Sequence, residues 1–224
     1  MKFDLPRIVI ICGHYGSGKT NLAVNLALEA AKDGGPVSLC DLDIVNPYFR
    51  SADFTGLVQR HGIEMIAPAS AGTNVDVPAL TPRLDAALRE TGRKVIVDVG
   101  GDDAGAAALG RYAPALRARN DWTMLYVINR SRPLIGTPEE AVGILREIEN
   151  ASRVSATGIV NNTHLSQFTD PQVVAASREY TDEVCRLTGL PLCFTAVRED
   201  LAESLPGLTD VYPVKIYVKP PWEE

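Results

Sequence analysis

Eight residues, Gly13-His14-Tyr15-Gly16-Ser17-Gly18-Lys19-Thr20, follow directly on the apolar run RIVIIC at 7–12. Glycines at this spacing let successive backbone N–H groups converge on phosphate oxygens. Lys19 then supplies a point charge at the β and γ phosphates, and the Thr20 hydroxyl ligates Mg²⁺. Gly13-x4-Gly18-Lys19-Thr20 is the Walker A pattern. A chance match in a chain of ordinary glycine usage is on the order of one in a hundred. The context, an apolar strand before and a helical pattern after, is the one the motif requires. The phosphate-binding set therefore runs from Gly13 through Asn21.

A phosphate-bound Mg²⁺ also needs a carboxylate. KVIVDVGG (94–101) brings Asp98 to the end of an apolar strand, where it binds the metal directly or through water. Asp98-Val99-Gly100-Gly101 also reads DxxG, so Gly101 is placed to give a backbone N–H to the γ-phosphate and make this loop a switch. Asp102 and Asp103 follow. In VSLCDLDIVNPYFR (37–50), Asp41 and Asp43 end the strand after the glycine-loop helix. Their i,i+2 spacing in extended chain aims both carboxylates the same way, toward metal coordination and positioning of an attacking water.

Asn161 or Asn162, in GIVNNTHL (158–165), reads a base edge, since an amide both donates and accepts and so complements adenine. The usual guanine-reading motif, N-K-x-D, is absent at this and every later strand end, which favours ATP. Arg130 and Arg132, in NRSRPLIGT (129–137), stand at the carboxyl edge where open sheets bind ligands. They either touch nucleotide, substrate or partner, or are simply solvated. Tyr48, Phe49 and Arg50 form a partner-facing patch or pack inward. His61 and His164 are remote in sequence from any other candidate metal ligand and are expected to be structural.

To bring these groups to one edge the chain must alternate strands with helices. Short β-branched runs stand at 7–12, 36–40, 63–66, 94–99, 123–128, 154–160, 191–195 and 214–218. Most are continuously apolar, the pattern of strands buried on both faces of a parallel sheet. Between them, 18–32 places Leu22, Leu26 and Ala30 on one helix face. Thr81-Pro82 opens a helix that Gly92 closes, Thr137-Pro138-Glu139-Glu140 is a capping box, and Asp170-Pro171 opens a helix running to Gly189. The expectation is one α/β domain over 1–224, a mostly parallel sheet flanked by helices through right-handed βαβ units.

Composition agrees. The 224 residues, 46% hydrophobic and 22% charged, suit one full-sized core. A net charge of -6, with no block of five like charges, disfavours bulk binding to nucleic acid or an anionic membrane. No apolar stretch approaches the ~20 residues that span a bilayer. The four cysteines show no CxxC spacing, and Cys12 and Cys40 close apolar runs as small buried hydrophobes. A reducing, cytoplasmic setting is expected.

Taken together, the Walker A loop, DLDIVNPYFRS and DVGGDDAGA resemble the MinD/ParA/CobQ type of ATPase, the deviant P-loop branch of the SIMIBI class. The likeness runs from Arg7 to about Thr195. It implies a three-layer P-loop NTPase fold, ATP and Mg²⁺ as ligands, Asp43 orienting the hydrolytic water, Asp41 supporting the metal shell, and Asn162 at the base. The chain departs from that pattern at His14, where the family usually carries a second lysine that reaches a partner's phosphates. It also lacks the cysteines of iron–sulfur members, and it ends VYPVKIYVKPPWEE, without a basic amphipathic helix. The implied function is Mg²⁺-dependent ATP binding with slow hydrolysis. The chain would then be a nucleotide switch or partner-loading ATPase with an unidentified protein partner and a weak ATP-dependent homodimer. The alternative is an ATP-dependent small-molecule kinase or a ligase like dethiobiotin synthetase. For that alternative the nearest arginine-rich lid is GRYAPALRARND (110–121), which reads better as helix and loop.

Overall fold

A computed structural model describes residues 4–43, 51–67, 82–101, 103–205 and 208–218, with the side chains of 103 and 104 excepted. In chain order the elements are β1 (Ile8–Cys12), α1 (Lys19–Ala31), β2 (Val37–Leu42), α2 (Thr55–Arg60), β3 (Ile63–Ile66), α3 (Pro82–Arg89) and β4 (Lys94–Val99). They continue with α4 (Asp103–Gly110), α5 (Ala113–Arg117), β5 (Trp122–Ile128), α6 (Pro138–Ser152), β6 (Gly158–Asn161), α7 (Pro171–Ala176), α8 (Arg178–Thr188), β7 (Leu192–Arg198), α9 (Glu199–Ala202) and β8 (Val211–Val214).

The strands lie in the order β3-β2-β4-β1-β5-β6-β7-β8, and every pairing is parallel. Alternation along β1 splits the core in two, as a two-residue period must. Ile8, Ile10 and Cys12 pack with Leu84, Leu109, Leu116 and Leu145 on one face. Val9 and Ile11 pack with Leu22, Leu26 and Val58 on the other. Burial pushes the Cys12 thiol up to about 12 and the Cys40 thiol higher still, so both are inert hydrophobes as expected. Strand order reverses about β1, which makes its carboxyl end the crevice where an open sheet binds ligands.

Three of the differences from the sequence expectation have a side-chain reason. The strand expected over 154–160 begins only at Gly158, because the Val154 and Ala156 N–H groups find partners in α6. Val154 N–H donates to Ser152 Oγ, and Ala156 N–H donates to Glu149 Oε1. The helix expected over 170–189 breaks at Ser177, whose hydroxyl donates to the Val174 carbonyl and accepts from Asn161 Nδ2 at 2.8 Å. Residues 215–218 leave the ladder and are held instead by α1. Asn25 exchanges hydrogen bonds with the Lys215 backbone, and Asn21 Oδ1 accepts from Tyr217 N and Val218 N. The α6 capping box forms as read, as does the left-handed cap at Gly189. The longest described helix has 15 residues, and no helix among those described is long and apolar enough to cross a membrane.

Candidate nucleotide site

The glycine loop bends where only glycine fits. Gly13 sits at φ 149°, and a β-carbon there would lie 2.5 Å from the Val127 carbonyl oxygen. Gly18, the N-cap of α1, has φ 90°, and a β-carbon on it would collide with the Asn162 amide. No side chain caps α1, and no acid stands in its first turn. The N–H groups of its 13-residue dipole therefore face an open site, an arrangement that favours an anion. Lys19 is 7% exposed and donates from Nζ to the His14 carbonyl at 3.0 Å. His14 is held below its ordinary pKa by burial and by Lys19, so it is neutral near pH 7.

Across the loop stand the acids. β2 and β4 pair Asp41 with Asp98 in register. Asp98 is 1% exposed, and neither carboxylate oxygen has a hydrogen-bond partner among the described residues. Burial raises its pKa to about 7; Asp41 and Asp43 add to the rise, while Lys19 and Thr20 oppose it. Thr20 is thus near enough to favour the charged form without satisfying either oxygen. A buried carboxylate left unsatisfied beside a threonine and two more acids fits a divalent cation. Among the described residues no three His, Cys, Asp or Glu side chains form a cage of their own, so a cation held here would need further oxygen ligands, such as phosphate and water, to complete its shell.

The two DxD acids play different structural parts. Asp41 accepts from Asp43 N at 2.9 Å and from Ala52 N at 3.0 Å, pinning the chain on either side of 44–50. Asp43 lines the cavity, its Oδ1 3.1 Å from where a β-carbon on Gly100 would sit. Gly101 lies against the glycine loop: its β-carbon position is 2.9 Å from Tyr15 N and 3.0 Å from Lys19 Nζ. The DxxG loop and the Walker A loop are therefore in direct contact.

A cavity of about 410 Å³ opens from this edge. Its walls continue from α1 to the loop after β6 (Asn162–Thr169), the end of β7 (Ala196–Arg198) and the C-terminal Val214, Ile216 and Val218. No protein-family model matches the chain, and no curated protein matches it. Solved structures do. The chain resembles cell division protein FtsY from Thermotoga maritima at 19% identity and TM-score 0.60, over 88% of this chain and 64% of that one. It also resembles the signal recognition particle 54 kDa protein from Aeropyrum pernix, solved with GDP, at 22% identity and TM-score 0.57, over 86% and 41%. Chloroplast FtsY from Physcomitrella patens matches at 17% identity and TM-score 0.57, over 87% and 59%. The fold is the three-layer α/β fold of these proteins, a parallel sheet flanked by helices. The chain spans 41–64% of the length of these three proteins.

On this P-loop scaffold, residues 13–20, Asp41, Asp43, Asp98, Gly101 and Asn162 converge at one sheet edge. Asn162 donates from Nδ2 to the Ser17 carbonyl at 2.7 Å, so it braces the P-loop as well as lining the cavity. The Asn21 side chain also lines the cavity, but its amide is engaged by residues 215–218. Asn161 turns away, bonding Ser177 and the Thr163 N–H. His61 is exposed, and among the described residues its ring bonds the Leu57 carbonyl, away from the loop.

His164 does not stay remote. Its Nε2 lies 3.4 Å from the β-carbon position of Gly18, and it lines the cavity. Nδ1 accepts from Ser166 N, which leaves the hydrogen on Nε2, and burial with Arg132 lowers its pKa to about 4. Its place two residues beyond a strand-end pair of asparagines was the available signal. Arg130 bonds the Ala176 carbonyl, whereas Arg132 turns onto the P-loop. Arg117 and Arg119, considered for a lid, brace the opposite edge, Arg119 pairing with Asp121. Tyr48, Phe49, Arg50 and Asp102 lie outside the described residues.

Proposed function

We propose that this chain binds ATP with Mg²⁺ on the 13–20 loop and hydrolyses it slowly, acting as a nucleotide switch on a protein partner in the manner of MinD/ParA-type ATPases. The observation that carries this reading is the unsatisfied, buried Asp98 facing Thr20 and Lys19, with the Gly101 loop resting on Tyr15. Lys19 and the loop N–H groups hold the phosphates. Thr20 and Asp98 hold Mg²⁺, which when bound neutralises phosphate charge. Asp41 supports that shell by fixing the end of β2, and Asp43 orients the attacking water. Gly101 reports the terminal phosphate, so its loop differs between triphosphate and diphosphate states.

Adenine is favoured by what lines the far end of the cavity. Guanine presents two adjacent donors on its Watson–Crick edge, which a carboxylate matches. Among the described lining residues Asp43 is the only acid, and it stands at the phosphate end. Competition against labelled ATP tests this: ATP should displace it at least tenfold better than GTP, and equal displacement overturns the base assignment. With His14 neutral, the ATP-dependent homodimer is weak, which light scattering with and without ATP measures. Phosphate recovered on a small-molecule acceptor in place of water would favour the kinase reading.

A further inference from the structure

The described cationic side chains lining the cavity are Lys19, Arg132 and Arg198, and they are held very differently. Lys19 donates to the His14 carbonyl, and Arg198 forms a two-point pair with Asp200. Arg132 donates only from Nε, to the Gly16 carbonyl at 2.8 Å. Its guanidinium lies along the P-loop, with Nε 3.2 Å and Cζ 3.4 Å from the β-carbon position of Gly16. Nη1 and Nη2 make no hydrogen bond or ion pair among the described residues. A guanidinium tethered through one N–H with its fork open is set to receive two oxygens of one oxyanion.

The loop that delivers it is built for position. Asn129 is fully buried; its carbonyl accepts from Arg132 N, and its Oδ1 accepts from Ser131 N and His164 N. Leu134 takes φ 66°, and the β-carbon position of Gly136 is 3.5 Å from the Arg130 and Arg132 carbonyls, so the turn closes on itself. Gly16 adjoins Tyr15, against which Gly101 rests, so Arg132 overlies the part of the P-loop next to the switch.

We propose that Arg132 supplies from within the chain a positive charge directed at the phosphates. It would grip the terminal phosphate of a bound nucleoside triphosphate and stabilise it during transfer to water. This rests on the nucleotide reading above. In the step, a water oxygen bonds to the γ-phosphorus as the bond to the β–γ bridging oxygen breaks. That bond's electron pair stays on the diphosphate, and the water's proton goes to Asp43 or solvent. Nucleoside diphosphate and inorganic phosphate result. Arg132 meets the charge on the γ oxygens as it redistributes, the role of an arginine finger acting in cis.

Wild type, Arg132→Ala and Arg132→Lys are compared by single-turnover hydrolysis and by titration with ADP and with a non-hydrolysable ATP analogue, circular dichroism confirming the fold. Arg132→Ala should lose about 10³-fold in turnover. It should weaken the triphosphate analogue more than ADP, and added guanidinium should restore part of the rate. Arg132→Lys, which keeps charge without the fork, should fall between. Equal loss of ADP and analogue affinity without guanidinium rescue would make Arg132 only a brace of the P-loop and overturn the proposal, as would unchanged turnover. A wild-type chain that binds neither nucleotide fails at the nucleotide reading itself, and the Arg132 proposal goes with it.

Discussion

The two loops that meet at Gly18 are made of different material. The loop after β1 shapes its site with backbone, through glycines whose conformations place N–H groups at a helix end. The loop after β6 approaches the same point with side chains, Asn162 bracing Ser17 and His164 closing over Gly18. Backbone chemistry of the first kind is local, set by residues within eight positions of each other. Chemistry of the second kind depends on strands that meet only after the sheet assembles, 145 residues apart for the Asn162–Ser17 bond. The first loop should therefore govern whether phosphate binds and reacts. The second should govern how firmly the site is held.

The acids on the phosphate side give the largest expected effect. Asp43→Ala should leave ATP binding intact and lower turnover roughly 10²–10⁴-fold, the usual cost of losing a water-orienting or general-base group. Rapid-quench measurement of phosphate release checks it. If Asp41→Ala abolishes turnover while sparing binding and Asp43→Ala does not, the two roles are reversed.

On the other loop, Asn162→Ala removes the bond to Ser17 and leaves that carbonyl unmatched under the P-loop, a loss of about 1–2 kcal/mol. ATP and ADP affinities should both fall roughly tenfold, since 1.4 kcal/mol is a factor of ten. A loss confined to the choice between ATP and GTP would instead make Asn162 a reader of the base and erase the contrast between the loops.

The smallest effect is on stability. Asp41→Ala forfeits two backbone hydrogen bonds, about 1 kcal/mol each, but relieves repulsion with Asp98 across the β2–β4 pair. The net should be a Tm lower by roughly 2–4 °C in calorimetry. A rise in Tm would mean repulsion dominates and that Asp41 is kept for metal chemistry alone.

The same contrast explains what could be read from sequence. The P-loop, Asp98 at a strand end, the DxxG glycine and the Thr137 capping box depend on near neighbours and stand where their spacing puts them. The strand starting late at Gly158, the break at Ser177 and the capture of 215–218 by Asn21 and Asn25 are set by side chains of other elements. No local pattern announces them. The sequence reads His164 as structural and brings Arg132 to the ligand-binding edge without naming its contact, for the same reason: each reaches the P-loop from a separate crossover, so neither has a visible partner in sequence.

The central claim is that triphosphate and metal bind together at residues 13–20. Calorimetric titration of the wild type and of Lys19→Ala with ATP, in the presence and absence of Mg²⁺, tests it most directly. The wild type should bind ATP with a strong dependence on Mg²⁺, and Lys19→Ala, stripped of its point charge on the phosphates, should show no measurable heat. Equal affinity in the two proteins, or wild-type binding indifferent to Mg²⁺, would contradict the account.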